Sequence, residues 1–330
     1  MSGLAVAVET LPLFAPVEIT LDALSKAALY IVIASGLSLI FGLMGVLNFA
    51  HGSLTMLGAY LGGAVMVALV SSATGQGMRL LLFFVAVAVV FAALTAFGAG
   101  VERVLIRPIY DREPLFQILL TFGLVLVLDE AATIVVQLAG LQPQTEWQDA
   151  IGTAPDFLAN RYDVLGASTR GLYLFEVLVG LLVVVAIFLF LTRTRYGLYI
   201  RAGSEDAEMT QALGIDIRQA FTVVFGVGSG LAGLAGVMLM WDPRFGASVP
   251  LGVETLLVGF IVVIIGGLGS FKGTVVAGVL VGFVDAVMSW LFINYIDFPG
   301  LPELVMFLVL VTVLVARPQG LFGVSEVGGH

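Results

Sequence analysis

The sequence predicts an all-α fold, a polytopic bundle of about nine helices crossing a lipid bilayer, and three observations carry this. Of the 330 residues, 60% are hydrophobic and only 11% are charged, with a mean hydropathy of +1.10; a soluble domain carries about 25% charged residues. The apolar residues come in runs close to the ~20 residues a helix needs to cross the hydrocarbon core. Charged or proline-containing breaks separate the runs and hold most of the charges behind the net −9. A soluble enzyme, a nucleic-acid binder and a large extramembrane domain are excluded. With no cysteine in the chain, disulfides and thiolate chemistry are excluded too.

The elements follow in order. Glu9, Pro12, Pro16, Glu18 and Asp22 precede the first basic residue, Lys26, which is unlike the early positive charge of a cleaved leader. Residues 1–20 are expected to be an exposed or interfacial arm. A membrane domain over 21–317 then holds spans at 23–43, 47–70, 80–101, 115–140, 172–191, 219–240, 253–270, 274–293 and 303–316, with eight or ten as neighbouring counts. The second opens on Asn48, His51 and Gly52 and reads as a broken or re-entrant helix. Residues 318–330 form a tail.

Arginine and lysine set the orientation. Nine basic residues (Arg103, Arg107, Arg112, Arg193, Arg195, Arg201, Arg218, Lys272 and Arg317) fall on one side of this arrangement, and five (Lys26, Arg79, Arg161, Arg170 and Arg244) on the other. The first side is therefore expected to be cytoplasmic, with the N-terminus outside and the C-terminus inside. The 141–171 loop, acidic through Glu146, Asp149, Asp156 and Asp163, then faces outward. Glycines spaced by four, as at Gly58/Gly62, Gly226/Gly230 and Gly278/Gly282, suit close helix packing. A faint internal echo links Ile40–Gly45 with Ile265–Gly269, each at a turn on the inner side.

Catalytic motifs are missing. The only histidines are His51 and His330, so no His-Glu-x-x-His zinc helix exists. There is no Gly-x-Ser-x-Gly elbow and no phosphate-binding P-loop, the only lysines being Lys26 and Lys272; catalytic residues and metal ligands are therefore expected to be none. Charges inside spans are costly and mark functional candidates. Asp129 and Glu130 interrupt the fourth span and Asp285 the eighth. Each fits structural pairing, the wall of a wet cavity, or direct solute or proton handling. The basic residues are expected to stay in loops, unlike those of a proton-coupled carrier. Asn48-Phe49-Ala50-His51-Gly52-Ser53 is the most polar break in any apolar run. It reads either as cavity-lining backbone or as a capping turn with Asn48 as N-cap.

In the 193–218 loop, Ser204-Glu205-Asp206 reads as an N-cap and acidic first turn, and Gly214 as a stop. Met209, Ala212 and Leu213 share one face between them. This predicts a short amphipathic helix over 204–214, flanked by Arg201 and Arg218, that either lies on the membrane surface or docks a partner.

The run from Gly36-Leu37-Ser38-Leu39-Ile40-Phe41-Gly42 through Asn48-Phe49-Ala50-His51-Gly52-Ser53 to Gly58-Ala59-Tyr60 closely resembles the signature of branched-chain amino acid ABC importer permeases, the first of their two membrane subunits. Arg201-Ala202-Gly203-Ser204-Glu205-Asp206 through Leu213-Gly214-Ile215 is similar to that family's cytoplasmic coupling segment. Ala232-Gly233-Leu234-Ala235-Gly236 and Ile264-Ile265-Gly266-Gly267-Leu268-Gly269 also match, so the likeness spans about 25 to 317. The arm 1–20 and the loop 141–171 have no counterpart in it. The resemblance implies the importer permease fold in a bacterial inner membrane, with a second permease or a copy of the chain, two ATPases and a periplasmic solute-binding protein. It implies that ATP and magnesium are used by the ATPases and that this chain binds no cofactor. Arg201, Ser204, Glu205, Asp206, Met209, Leu213 and Gly214 then become the ATPase-docking candidates. Asn48, His51, Gly52, Ser53, Asp129, Glu130 and Asp285 are the candidates for the translocation pathway. A self-contained secondary carrier or channel for small amides, acids or aromatic compounds is the rival reading.

Overall fold

The apolar runs fold as helices in the expected order. A computed structural model describes residues 15–110, 112–205, 207–295, 298 and 300–323. Helix α1 (Ala15–Met44) is followed by α2 (His51–Leu69) and α3 (Gln76–Val101), which a π-turn (Glu102–Ile106) and a 3-10 turn (Arg107–Ile109) prolong. After α4 (Pro114–Leu138) come the short α5 (Gln148–Ile151) and α6 (Asp156–Ala159) and the strands β1 (Arg161–Val164) and β2 (Ala167–Arg170). Helices α7 (Gly171–Arg193), α8 (Arg195–Glu205), α9 (Ala207–Ala212), α10 (Ile217–Leu239), α11 (Leu251–Gly266), α12 (Phe271–Tyr295) and α13 (Leu301–Ala316) complete the chain.

Each of the nine expected spans coincides with a helix. Among the described residues, seven helices are long and apolar enough to cross a membrane, whereas α11 and α13 are apolar but only 16 residues long, about 24 Å of rise. Prolines open α4 and α13, where the missing N–H is not needed by the helix. Gly267, with φ +101°, ends α11. The first helix starts at Ala15 and so takes in residues 15–20, which were expected in the arm; residues 1–14 and the tail from 324 lie outside the described residues.

Helices α1 and α10 form the centre. α1 packs on α7, α10, α11 and α12, and α10 also on α2 and α3. Glycines set these approaches: a Cβ on Gly58 of α2 would stand 2.4 Å from the Gly233 carbonyl oxygen of α10, and one on Gly282 of α12 would stand 2.6 Å from the Ala27 nitrogen of α1. The regular glycine spacing thus serves backbone-to-backbone packing. The two echoing turns touch, since a Cβ on Gly269 would lie 2.7 Å from Cα of Gly42. Helix α4 is peripheral. It buries one stripe, Thr121, Leu128, Ala132 and Val136, half-buries the residues beside it, such as Leu124 and Asp129, and leaves its far face exposed.

The bundle has two distinct ends. The β1–β2 hairpin, the start of α1 and the 240–250 loop gather at one, where residues 143–147 are tied to that loop by Trp147 N–H to the Ala247 carbonyl (3.0 Å) and Val249 N–H to the Pro143 carbonyl (2.9 Å). The other, the arginine-rich end, carries residues 102–113 and 193–216. There the chain after α13 folds back, with Leu321 N–H on the Ile265 carbonyl at 2.8 Å. The hairpin is the one β element among the described residues. Its four-residue strands carry no period-2 apolar pattern, so the sequence reading as all-α passed over it.

Candidate functional site

The link between α1 and α2 folds back into the bundle. His51 Nε2 lies 2.8 Å from the Ile33 carbonyl oxygen. Ile33 stands eleven residues before the end of α1, so α2 begins roughly 16 Å inside the bundle. Gly45, at φ +65°, makes the reversal. Val46, Asn48, Ala50 and His51 are all buried. The Thr121 hydroxyl of α4 lies 3.3 Å from the Leu47 carbonyl oxygen. Asn48 Oδ1 accepts the Ala50 N–H at 3.1 Å, capping the turn before α2 rather than α2 itself. Non-helical backbone at this depth survives because protein surrounds it and supplies partners.

Four neighbouring pathway candidates, Asn48, His51, Gly52 and Ser53, therefore sit together, and Asp129 joins them: the Ser53 hydroxyl donates to Asp129 Oδ1 at 2.7 Å. The packing is tight here. A Cβ on Gly52 would fall 1.9 Å from the Gly252 carbonyl oxygen, and one on Gly36 would fall 2.7 Å from His51 Cε1. Glu130 does not join them and is exposed on α4.

Asp285 belongs to a different cluster, toward the hairpin end. Lys26 Nζ lies 2.9 Å from Asp285 Oδ1, 3.0 Å from Ser289 Oγ and 3.3 Å from Asp22 Oδ2. The Tyr30 hydroxyl donates to Asp285 Oδ2. Lys26 is thus a buried cation within α1, which corrects the expectation that basic residues stay in loops. Beside it Arg244 binds Asp22 (2.8 Å), Glu176 (2.9 Å), Asp242 (2.7 Å) and Ser25 (2.8 Å). Burial opposes the charge on Arg244, but the carboxylates of Asp242 and Glu176 outweigh it and raise its pKa well above the usual arginine value. These residues floor and flank a cavity of about 610 Å³ between α1, α11, α12 and α13, open at the hairpin end. Neither Lys26 nor Arg244 was singled out from sequence. The available signal was a lysine and an aspartate each inside an apolar run, since charges in such runs are usually paired.

At the opposite end, α8 already runs from Arg195 to Glu205, so Ser204 and Glu205 end a helix instead of starting one. The expected single helix over 204–214 is two elements, α8 and α9. Asp206 lies outside the described residues, as do the side chains of Ser204 and Glu205. Arg201 is exposed in α8, and Met209 and Leu213 are 59% and 75% exposed. Gly214, at φ +84°, terminates the segment as expected. Nearby, fully buried Glu102 accepts from Arg107, Tyr110 and Thr222, and Arg107 also reaches the Arg218 carbonyl at 3.3 Å. Burial, reinforced by the bond to Glu102, pushes the Tyr110 pKa up. This cluster ties the turn after α3 to α10, the helix that follows the 193–216 segment; sequence reading missed it because Thr222 lies 120 residues from Glu102 in the chain.

Among known proteins, the permease BraD of the high-affinity branched-chain amino acid transport system of Pseudomonas aeruginosa is 28% identical over 93% of this chain and 95% of its own length. LivH of Escherichia coli K12 is 28% identical over 90% of this chain and 92% of its own. A probable LivH of Methanocaldococcus jannaschii is 24% identical over 90% and 89%. No solved structure matches. Residues 19–315 match the family described as the permease component of branched-chain amino acid transport systems. With nine apolar helices among the described residues, a polar fold-back inside the bundle and that match over most of its length, the chain belongs to the branched-chain amino acid transport permease family.

Proposed function

We propose that this chain is a membrane-spanning subunit of an ATP-driven importer for branched-chain or related small hydrophobic amino acids. It works by alternating access, powered by separate ATPase subunits that bind ATP and magnesium, and itself holds no cofactor. The observation that carries this is the 195–216 segment, which presents Met209 and Leu213 to the surroundings between two membrane helices. Exposed apolar side chains on a polar, arginine-flanked segment fit a docking surface. The arginine-rich end is then cytoplasmic, the N-terminus and the hairpin end periplasmic, and the protein resides in the bacterial inner membrane. A periplasmic binding protein delivers solute at the hairpin end. A second permease, or a copy of this chain, covers the α4 face on which Glu130 is exposed, because a carboxylate at that depth is not left to lipid.

A second reading, a self-contained carrier, is favoured by the Lys26–Asp285 pair, a buried cation and anion at matching depth. Proteoliposome uptake separates the two. The importer reading requires uptake only when both ATPases, the binding protein and ATP are present. Uptake by the chain alone, driven by an ion gradient, would establish the carrier.

A further inference from the structure

We propose that Glu102 is a positioning residue for transport: the buried junction it makes with Arg107, Tyr110 and Thr222 carries movement of α10 to α4. This rests on the importer reading above. It deepens that reading by assigning a route from the 195–216 segment to the pathway candidates Ser53 and Asp129.

Glu102 is fully buried and opens the π-turn that follows α3. Such turns are rare and occur mostly at functional sites. Its Oε1 accepts from Arg107 Nε at 3.2 Å and from the Tyr110 hydroxyl at 2.5 Å. Its Oε2 accepts from Arg107 Nη2 at 3.1 Å and from the Thr222 hydroxyl at 2.6 Å. Apolar groups of the same volume often stabilise a buried site at least as well as an ion pair does, so stability alone does not account for these residues. What the charges add is a fixed geometry between two elements. Arg107 and Tyr110 belong to the turn beyond α3, and Thr222 belongs to α10. Arg107 Nη2 also donates to Thr222 Oγ1 at 2.6 Å and to the Arg218 carbonyl at 3.3 Å. The N-cap of α10, Asp216, accepts the Gln219 N–H at 3.1 Å and is the last residue of the docking segment. The start of α10 and the turn after α3 are therefore bound as one body, directly beside that segment.

The next step is apolar. The Tyr110 ring meets Phe221 of α10 edge-on, 5.1 Å between centroids. Tyr110, with Leu120 and Leu124 of α4, packs on the buried group that includes Ile106 and Phe225. Helix α4 begins four residues after Tyr110. Farther along, α4 meets the fold-back through Thr121 and the Leu47 carbonyl (3.3 Å) and through Asp129 and Ser53 (2.7 Å). His51 and Gly52 hold the fold-back against α1 and α11, whereas α4 lies at the periphery. A shift of α10 thus passes through Glu102 to α4, and α4 moves against Ser53, making or loosening the Ser53–Asp129 contact. These contacts form an unbroken physical chain, and coupling along it is what has to be measured.

The chain has no cysteine. Leu138→Cys, at the hairpin end of α4 and 84% exposed, therefore gives this subunit a single thiol, and the unsubstituted importer serves as the blank. In the assembled importer in nanodiscs, trapping the ATPases with ATP and vanadate should change the rate at which a charged methanethiosulfonate reagent modifies that thiol. The change should vanish when Thr222→Val, which keeps the shape and removes the hydroxyl, or Glu102→Gln is added. Both variants should lower leucine uptake per ATP hydrolysed by about two- to thirtyfold, while hydrolysis stimulated by the binding protein persists. Thr222→Ser, which keeps the hydroxyl, should match the unsubstituted protein in both measurements. An unchanged ratio of uptake to hydrolysis in Thr222→Val, an equal loss in Thr222→Ser, or a thiol that ignores trapping with Glu102 and Thr222 intact overturns the proposal. So does a thiol that still responds in Thr222→Val. If Glu102→Gln does not assemble, the contrast between Thr222→Val and Thr222→Ser decides alone. Any of these results with ATP-dependent uptake overturns the role of Glu102 and leaves the importer reading standing; ATP-independent uptake by the unsubstituted protein overturns both.

Discussion

The ammonium of Lys26 stands 2.9 Å from a carboxylate oxygen of Asp285, 259 residues away in the chain, and each side chain is only 9% exposed. Removing Lys26 strands Asp285 as a buried charge, at a cost of about 3–5 kcal/mol, whereas removing Asp285 leaves Lys26 its second partner, Asp22, at 3.3 Å. Lys26→Met should lower the melting temperature in detergent sharply, and Asp285→Leu less so. The double variant should recover most of the loss, because it strands neither charge. Thermal melts of the four proteins test this, and additive losses would contradict it.

His51 is fully buried and holds the Ile33 carbonyl through Nε2. His51→Ala leaves that contact unmade and should cost about 1–3 kcal/mol, impairing assembly or transport. Gln148, exposed at the hairpin end, makes one bond there, to Glu146 at 3.2 Å, and Gln148→Ala should change little. Uptake and yield of the two variants, measured side by side, check the contrast; equal effects would leave His51 as an ordinary capping residue.

Gly52 and Gly100 should respond oppositely to alanine. The Gly52→Ala methyl would sit 1.9 Å from the backbone oxygen of Gly252, whereas nothing lies within 4 Å of a Cβ on Gly100. Gly52→Ala should abolish accumulation of folded protein. Gly100→Ala should be tolerated, with a gain of about 0.5–1 kcal/mol from helix propensity. Size-exclusion profiles of the purified variants report both outcomes.

Leu213 is 75% exposed, so Leu213→Asp should leave the melting temperature nearly unchanged, within about 0.5 kcal/mol of stability. If the 195–216 segment docks the ATPases, uptake should nevertheless fall away while the subunits keep hydrolysing ATP; replacing Glu205 should act in the same direction. Normal coupling in the double variant would remove the segment from that role.

Much of the architecture is local and therefore legible. Apolar run length places the nine apolar helices among the described residues, and the polar Asn48–Ser53 stretch marks the fold-back because lipid cannot satisfy it. Gly214 ends its segment for the same backbone reason anywhere in a chain. What escaped is non-local or short. Lys26 finds Asp285, and Glu102 finds Thr222, across more than a hundred residues each, and no periodicity records such pairings. Ser204 carries a capping signature, yet it falls in the last turn of α8, since serine is tolerated near helix ends of either kind. Glu130, read beside Asp129 as a pathway residue, points another way, as adjacent positions on a helix are about 100° apart.

The six residues from Gly45 to Ala50 interrupt the regular backbone ladder at a place no loop normally occupies. A hinge at the rim of a bundle lets whole helices swing as units. The stretch sunk between α1 and α2 is held instead: His51 sits on the Ile33 carbonyl and Gly52 packs against the Gly252 backbone, so the start of α2 is fixed against the centre. A substitution in this stretch is thus felt at the centre of the bundle, by α1, α4 and α11 together, and not at its rim.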